Sequence, residues 1–369
     1  MSIRKRKEKD DSYFYASQWQ LMYQKFRKHK LAMASVWLLG FFYLVAIFGN
    51  FVAPQGTEQF DGRYVNCGPT PIHFFHEGKW EGPFVYGLKR VRDPETYMNI
   101  FTEDKEVVCH IRFFTQGDKG GEYKFLGLFE TNLHLFRAEG EGQVFLFGTD
   151  GMGRDLFSRV VLGAQISLFI PVVGMLLTVF LGLLMGSLAG YFGGWVDIVM
   201  ERVCEILGGI PFVVVMTLIL INRPDGFPIM LMVGIALCAT GWLGTASLTR
   251  TQFYRFKDRE YILAARTLGA KDTRLIFRHI LPNAIGTLIT SSVLMIPSVI
   301  FSEASLSYLK LVNGLEGFGS TLSENQIFMM NYPFLILFPS VVMALVMISF
   351  NLFGNGLRDA FNPSLKGGE

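Results

Sequence analysis

Long uncharged stretches alternate with charged segments along this chain of 369 residues. Six of the stretches reach or approach about 20 residues, which is the length that a helix needs to cross a bilayer. They are 31–52, 165–188, 206–222, 228–246, 284–302 and 334–353. The third is short, but its helix can begin earlier, near Asp197, and Pro211 is expected to kink it. The pattern therefore predicts an all-α polytopic membrane protein with six transmembrane helices.

A long polar insert, 54–147, separates the first two uncharged stretches. Residues 107–114 and 123–128 within it read as strands, and joints rich in Gly, Asp and Pro separate them. Loops longer than about 15 residues usually fold or carry a function. We therefore expect the insert to be a small β-rich domain.

The loop between the fourth and fifth stretches reads as two short amphipathic helices joined by a glycine. Apolar residues of the first helix recur at i, i+3, i+4 and i+7, which puts them on one face; they are Tyr261, Ala264, Ala265 and Leu268. Gly269 suits the left-handed position that closes a helix, and Asp272 is placed to cap the second. The same spacing recurs at Leu275, Ile276, His279 and Ile280. Pro282 then suits the first turn of a new helix. An exposed apolar face of this kind predicts a partner protein.

Charge is distributed unevenly over the segments outside these stretches. Residues 1–30 carry nine Lys and Arg against three acids, and residues 250–278 carry eight against three. The insert has ten Lys and Arg and fourteen acids, a net charge of −4. Because cytoplasmic segments of membrane proteins are enriched in basic residues, we predict that the first two are cytoplasmic and the insert is extracytoplasmic. Six spans then leave both termini in the cytoplasm.

The basic segment 1–30 has two interpretations. Its aromatic residues Trp19, Tyr23 and Phe26, followed by a basic run, are typical of an amphipathic helix that lies on membrane lipid. A simple topology anchor is the alternative. Nucleic-acid binding is disfavoured, because the segment leads directly into a membrane span and needs no further purpose.

The distribution of the four cysteines bears on redox chemistry. Cys67 and Cys109 lie in the insert, and the other two lie in membrane spans. Outside the cytoplasm a pair of thiols can oxidise, so Cys67 and Cys109 form a candidate disulfide. Their spacing alone does not show that the two residues approach each other.

Candidate chemistry within the chain is sparse. The six His are scattered and form no His, Glu and Cys constellation of the kind that a membrane-bound enzyme would need. No G-x-x-x-x-G-K-[ST] phosphate loop is present, so the chain is not expected to hydrolyse ATP itself. We expect a non-catalytic protein without a metal site or a cofactor of its own.

The loop 258–281 with the proline that follows it resembles the coupling loop of ABC-importer permease subunits. That family's pattern is Glu-Ala-Ala, then a Gly, then Leu-Pro about a dozen residues later. The matching residues here are Glu260, Ala264, Ala265, Gly269, Leu281 and Pro282. Three residues separate the Glu from the Ala pair, and this longer form, with Arg266 after the pair, is similar to the dipeptide/oligopeptide branch. The resemblance implies that these residues couple the chain to an ATPase.

Two further stretches resemble the same branch. Residues 148–159 are similar to its G-T-D-x-x-G-R-D-x-x-S-R motif. For Asp150 and Asp155 within it we expect a structural role, or docking of an external partner, and not a metal or catalytic role. Residues 301–309 are similar to its E-A-x-L-S-F-L-G motif. Glu303 within it follows Pro282 by about 32 Å along a helix, which places it near the outer mouth as a possible gate.

The resemblance implies a permease subunit in a bacterial inner membrane that forms half of a channel for peptides or similar small solutes. Its partners would be a homologous second permease, one or two ATPase subunits that bind ATP and Mg²⁺, and an extracytoplasmic substrate-binding protein. The predicted parts are a cytoplasmic segment 1–30, a first span 31–53, the insert 54–147, a permease core 148–363 containing the coupling loop 258–281, and a cytoplasmic tail 364–369.

Two alternatives remain open from the sequence. A transporter of the same type could carry oligosaccharides or nickel chelates, because specificity resides mainly in the external binding protein. A secondary transporter would need ionisable residues near the middle of the membrane and repeated halves. The spans are nearly free of charge at that depth and show no internal repeat, which disfavours the second alternative.

Overall fold

The computed structural model describes residues 18–56, 59–95, 98–117, 122–125, 129–140, 142–311 and 314–361. Most of the predicted segment 1–30, residues 126–128 of a predicted strand and the predicted tail 364–369 lie outside the described residues. The chain divides into two compact units. The first unit comprises residues 1–40, 171–299 and 346–369, and the second comprises residues 41–170 and 300–345.

Helices account for most of the described chain. In order they are α1 (Gln18–Lys28), α2 (Lys30–Ile47), α3 (Gly49–Val52), α4 (Leu156–Phe192), α5 (Gly194–Gly208), α6 (Phe212–Ile221), α7 (Ile229–Lys257), α8 (Glu260–Thr267), α9 (Asp272–Arg274), α10 (Leu281–Tyr308), α11 (Phe318–Asn325) and α12 (Phe334–Phe361). A π-helical turn, Leu275–Ile280, joins α9 to α10, so that one helix runs from Asp272 to Tyr308.

The membrane-spanning pattern agrees with the prediction. Within the described residues, five helices are long and apolar enough to span a bilayer, and α5 with α6 adds a sixth if the bent pair counts as one span. The two halves of that pair meet at 82°, and Pro211 stands at the N-cap of α6. Because proline has no N–H to continue the hydrogen bonding of α5, the predicted kink is a break.

The strands of the described chain lie in the insert. They are β1 (His73–His76), β2 (Lys79–Arg92), β3 (Asn99–Gln116), β4 (Tyr123–Phe125), β5 (Phe129–Thr131) and β6 (Leu133–Ala138). Four of them form an antiparallel sheet in the order β1-β2-β3-β6, and β4 pairs with β5 in a separate hairpin. The predicted polytopic helical fold with a β-rich insert is confirmed.

The sequence predicted only two of the six strands in the described part of the insert. The predicted strand 107–114 lies inside β3, which is 18 residues long. Of the strand predicted over 123–128, the described residues 123–125 form β4. Strands β1, β2, β5 and β6 escaped prediction; β2 contains glycines and ends in a basic run, which hides its alternation.

Two buried clusters form the core of the insert. One contains Val85, Cys109, Ile111, Phe136 and Val144, which come from β2, β3, β6 and the segment after β6. The other contains Tyr64, Cys67 and Phe145. Each cysteine is thus enclosed by a different set of apolar side chains.

The candidate disulfide does not form in the described structure, where Cys67 and Cys109 are both buried and are not joined to each other. Their separation into different clusters gives the physical reason. Burial raises the pKa of the Cys67 thiol to about 12. The nucleophilic thiolate is therefore scarce at neutral pH, which also disfavours oxidation of Cys67.

In the first unit, glycines allow α4 and α7 to pack closely. A Cβ added at Gly186 would lie 2.7 Å from Cβ of Thr249, and one added at Gly190 would lie 2.6 Å from Cβ of Phe253. Larger residues at these positions of α4 would therefore push the two helices apart. The close approach brings Tyr191, at the end of α4, against the end of α7, where the loop 258–281 begins.

Candidate functional site

The first half of the loop 258–281 is the helix α8. It ends in a Schellman motif, in which the Ala270 N–H donates to the Ala265 carbonyl at 3.1 Å and the Gly269 N–H donates to the Arg266 carbonyl at 3.0 Å. Gly269 has φ of +84°, in the left-handed region, as the sequence predicts. A Cβ there would meet nothing within 4 Å, so the requirement for glycine comes from the backbone alone.

The second half of the loop begins at α9, and its cap differs from the prediction. Asp272 was expected to be the N-cap, but Lys271 occupies that position without any side-chain cap, and Asp272 is the first helical residue. Its carboxylate instead accepts a hydrogen bond from the hydroxyl of Tyr191. A tertiary contact that the local pattern does not contain has therefore taken the place of the cap.

Pro282 was expected in the first turn of a new helix, and it does lie in the first turn of α10, although α10 continues directly from the π-helical turn. It lies inside the continuous helix, directly after the π-helical turn. The Leu281 N–H donates to the carbonyl of Ile276, five residues earlier. In a regular α-helix the ring of Pro282 would clash with the preceding turn, and the wider π turn relieves that clash. The loop is thus joined to α10 without a break.

A small apolar core holds the loop together. Its buried members are Tyr191, Phe253, Ile262, Leu275 and Ile280, with Ala265, Ala270, Ile276 and Leu281 partly buried beside them. Ile262, Leu275 and Ile280 are fully buried. The helical spacing predicted for the second helix is confirmed, because Leu275 and Ile280 lie on one face, but that face is buried in the loop's own core and is not left for a partner. Ile262, which anchors α8, was not singled out from the sequence.

Tyr191 ties the two helices of the loop to each other. Its hydroxyl accepts a hydrogen bond from Nη2 of Arg266 on α8 at 3.2 Å and donates one to Asp272 on α9. The guanidinium of Arg266 also lies 5.7 Å from the centre of the Tyr191 ring. Tyr191 was missed by sequence reasoning because it lies about 75 residues from Arg266; its place beside the Gly-Gly turn was the only signal.

The opposite side of α8 lies at the surface. Of the four residues predicted to share its apolar face, Tyr261, Ala264 and Leu268 are exposed, and Leu268 is 88% exposed. Ala265 alone turns partly into the loop core. Glu260 is exposed next to this face and stands in the first turn of α8. The predicted coupling residues therefore fall into two groups. Glu260 and Ala264 lie at the surface. The supporting group includes Ala265 and Leu281, which pack against the loop core, and Arg266, which donates to Tyr191.

A polar network fixes α5 against α7 in the same unit. Asp197 accepts hydrogen bonds from Nη2 of Arg250 at 2.8 Å and from the hydroxyl of Tyr254 at 2.7 Å. Arg250 also pairs with Glu201 at 3.3 Å. These contacts hold the end of α7, from which the loop departs.

The second unit contains a separate charged cluster at residues 148–159. Asp150 pairs with Nε of Arg154 at 2.7 Å and with Nη1 of Arg159 at 2.9 Å, and Arg159 also reaches Glu324 at 3.0 Å. Asp150 and Arg159 are almost fully buried. Among the described residues no group of His, Cys, Asp and Glu could hold a metal ion. The geometry is that of a structural ion network.

Asp155 acts differently from Asp150. Its carboxylate accepts a hydrogen bond from the Ser158 N–H at 2.8 Å and one from the Ser158 hydroxyl, as an N-cap does at the start of α4. Complete burial raises the pKa of Asp155 to about 6.

Glu303 is fully buried in α10. One of its carboxyl oxygens accepts a hydrogen bond from Ser167 at 2.9 Å, and the other accepts one from Ser307 at 3.0 Å. Ser167 in turn accepts a hydrogen bond from the Phe318 N–H at 3.1 Å, which links Glu303 to the start of α11. Glu303 therefore belongs to a polar chain inside the second unit.

Two family models match the chain. The model of the binding-protein-dependent transport system inner membrane component matches residues 182–367, which include the loop 258–281. The model of the N-terminal transmembrane domain of oligopeptide transport permease C matches residues 17–69.

Curated relatives agree with these matches. The oligopeptide transport system permease protein OppC of Bacillus subtilis is 40% identical over 222 residues, covering 60% of this chain and 72% of its own. The dipeptide transport system permease protein DppC of Lactococcus lactis is 28% identical over 356 residues, covering 95% of this chain and 90% of its own. An inward-facing structure of the MetNI methionine ABC transporter matches with a TM-score of 0.44 and 16% identity, covering 55% of this chain and 96% of that chain.

Proposed function

This chain belongs to the family of binding-protein-dependent transport system inner membrane components, of the OppC/DppC type, and we propose on that basis that it forms half of the channel of a peptide importer. Members of this family are non-catalytic, multi-pass subunits of the inner membrane. They work in a complex with a separate ATPase and a binding protein, and they bind no cofactor themselves.

The main support for the proposal is the exposed face of α8. This helix lies on a loop that a buried apolar core and the hydrogen bonds of Tyr191 hold together. Tyr261, Ala264 and Leu268 present apolar surface that the described chain leaves open, and Glu260 adds a charge at its edge. We assign this surface to the contact with the ATPase. The small Ala264 side chain allows close approach of a partner, and Leu268 supplies apolar area to bury.

The supporting residues explain how a push on this surface would be transmitted. Ile262 and Ala265 fasten α8 to the loop core, and Arg266 joins it through Tyr191 to α9. From α9 the helix continues without a break into the membrane-spanning α10. Closure of the ATPase pair would therefore move the loop as one body and displace α10 with it. Such a displacement can shift the channel between inward-open and outward-open states.

Topology, domains and partners follow as further proposals. The positive residues of 1–30 and 250–278 support a cytoplasmic location for both, with both termini inside and the insert outside. We divide the chain into the segment 1–30, the first span 31–53, the insert 54–147, the core 148–363 and the tail 364–369. A homologous second permease and one or two ATPase subunits would complete the complex, and the insert would face the binding protein.

Peptides are the substrate class that the relatives support. The matched proteins include oligopeptide, dipeptide and glutathione permeases, whose names all refer to peptide cargo. Measuring the ligands of the cognate binding protein by calorimetry would test this. Tight binding of oligosaccharides or nickel chelates, with no affinity for peptides, would contradict the peptide assignment while leaving the transporter type intact.

The transporter type is tested by reconstitution. The chain is placed in proteoliposomes with its partner permease, ATPase and binding protein, and ATP hydrolysis and uptake of a labelled peptide are measured together. We expect hydrolysis that is stimulated by loaded binding protein and inhibited by vanadate. Uptake that is driven by an ion gradient and proceeds without the ATPase would show a secondary transporter instead.

A further inference from the structure

Helix α5 buries very little of its own surface in the first unit. Of its 15 residues, all of which are described, only Asp197 is buried, and three others are half-buried. Large apolar side chains of α5 lie at the surface of the chain; Trp195 is 80% exposed and Ile206 is 69% exposed. Because little buried apolar surface holds this helix in place, its position depends on the partners of Asp197.

One arginine of α7 is the main partner. Nη2 of Arg250 donates to Asp197 at 2.8 Å and to Glu201 at 3.3 Å, and Nε of Arg250 also pairs with Asp197. The hydroxyl of Tyr254, one turn further along α7, donates to Asp197 at 2.7 Å. Within the described chain no other ion pair joins α5 to another helix. Two carboxylates of α5 thus share a single guanidinium.

Arg250 lies near the end of α7 from which the loop 258–281 departs. The helix ends at Lys257, about two turns after Arg250. Between these two residues, Phe253 packs into the buried core of the loop with Ile262 and Leu275. Since α7 is one continuous helix here, a displacement of the loop core displaces Arg250 as well.

A break separates the other end of α5 from α6. Helix α5 ends at Gly208, Pro211 is the N-cap of α6, and the two helices meet at 82°. Glycine and proline both destabilise a helix, and Pro211 has no N–H with which to continue the hydrogen bonds of α5. The chain between Gly208 and Pro211 can therefore change the angle between the two helices without unfolding either of them.

We propose that Arg250 is a positioning residue that makes α5 part of the moving loop, so that the ATPase displaces α5 as well as α10. This inference rests on the proposed contact between the ATPase and α8. When the loop moves, Arg250 moves α5 with it, and the break at 208–211 takes up the change of angle against α6. Loss of the guanidinium would leave Asp197 and Glu201 without an ion-pair partner and would release α5 from α7.

The inference is tested by distance measurements on the whole transporter complex. Spin labels are placed as non-canonical residues at three exposed positions, which are Val199 of α5, Leu218 of α6 and Phe277 of the loop. Distances are measured by pulsed electron paramagnetic resonance without nucleotide and after trapping with ATP and vanadate. In the parent we expect the 199–277 distance to stay constant and the 199–218 distance to change by about 2 Å or more.

Variants of Arg250 test the tie itself. In Arg250→Gln the 199–277 distance distribution should broaden and the 199–218 change should be lost. Substrate-stimulated ATP hydrolysis should fall about tenfold, as expected for the loss of one charge-assisted hydrogen bond. Arg250→Lys, which can still pair with Asp197, should keep both distances. Arg202→Gln is the matched control, because Arg202 pairs with Glu205 inside α5.

A variant of the break keeps the tie and stiffens the joint. Gly209→Ala combined with Pro211→Ala favours a continuous helix, so the 199–218 change should shrink while the 199–277 distance stays constant.

Two results would overturn this inference alone. One is an unchanged 199–218 distance in a parent complex whose ATP hydrolysis is stimulated by substrate. The other is the same pair of distances in Arg250→Gln as in the parent, in both states. Normal co-purification of the ATPase with Ala264→Trp would instead contradict the proposed ATPase contact, and this inference would fall with it.

Discussion

The loop 258–281 and the insert 54–147 differ in the sequence separation between the residues that pack against each other. In the loop, the buried residues Ile262, Leu275 and Ile280 lie within 20 residues of one another, and only Tyr191 and Phe253 come from outside. In the insert, Val85 pairs across the sheet with Cys109 and packs with Phe136 and Val144. Helical periodicity describes the first arrangement, whereas the second depends on pairings that no local pattern encodes.

The two regions also differ in what they leave exposed. The loop buries one face and leaves Tyr261 and Leu268 at the surface of the described chain. The insert closes its own core in two clusters. This contrast suggests that the insert holds its shape by itself, whereas the loop is completed by a partner.

The largest effect is expected in the insert. Phe84 is fully buried, and Phe84→Ala should destabilise the insert by about 3–5 kcal/mol through lost burial and a cavity. Limited proteolysis of the assembled complex should then cut the insert, while basal ATP hydrolysis stays at the parent level. Phe75→Ala is the control, because Phe75 is 62% exposed on the neighbouring strand. A parallel loss of basal hydrolysis in Phe84→Ala would show that the regions are not separable.

The next effect concerns the backbone of the loop. Gly269→Val forces a β-branched residue into positive φ, which costs about 1–3 kcal/mol and should abolish most substrate-stimulated ATP hydrolysis. Gly269→Asn should keep it, because asparagine tolerates this region. Gly226 also has a positive φ, +77°, and a Cβ there would meet nothing within 4 Å. Gly226→Val therefore controls for backbone strain outside the loop. Equal losses in Gly226→Val and Gly269→Val would contradict a special role for the loop.

A bulky residue on the exposed face tests the partner contact. Ala264→Trp should leave the loop folded, because Ala264 is exposed, yet overpack the interface by about 1–3 kcal/mol. Co-purification of the ATPase with the membrane subunits should fall, and Ala264→Ser should co-purify normally. Normal co-purification of both variants would place the ATPase contact elsewhere.

Removing one hydroxyl tests the link inside the loop. Tyr191→Phe keeps the ring and removes the hydrogen bonds to Arg266 and Asp272, for a loss of about 1 kcal/mol. Stimulated hydrolysis should fall several-fold while ATPase binding persists. Tyr254→Phe removes a hydroxyl that serves Asp197 outside the loop and is the matched control. If the Tyr254 variant loses more stimulation than the Tyr191 variant, the link does not brace the loop.

The smallest effect is expected at the exposed charge. Glu260→Ala should reduce stimulated hydrolysis only slightly, because an exposed ion pair contributes under about 1 kcal/mol. Glu205→Ala, at another exposed carboxylate, provides the comparison. A loss as large as that of Gly269→Val would mean that Glu260 is buried against its partner in the complex.

The sequence by itself determined the helical membrane fold, the presence of a β-rich insert and the place of the loop. These rest on local signals: uncharged length, the spacing of Leu275 and Ile280, and the glycine that closes α8. Each signal acts within a few turns of one helix, so it can be read without knowing what packs against it.

Tertiary structure alone decided the remaining features. It turned Asp272 from a cap into a partner of Tyr191, and it joined the helix that contains Pro282 to α9 through a π-helical turn. It also enclosed Cys67 and Cys109 in different clusters and brought Arg112 opposite Arg137. In each case the deciding contact joins residues distant in sequence or satisfies the geometry of a continuous helix. Such contacts exist only once the whole chain has folded, so no local pattern could have contained them.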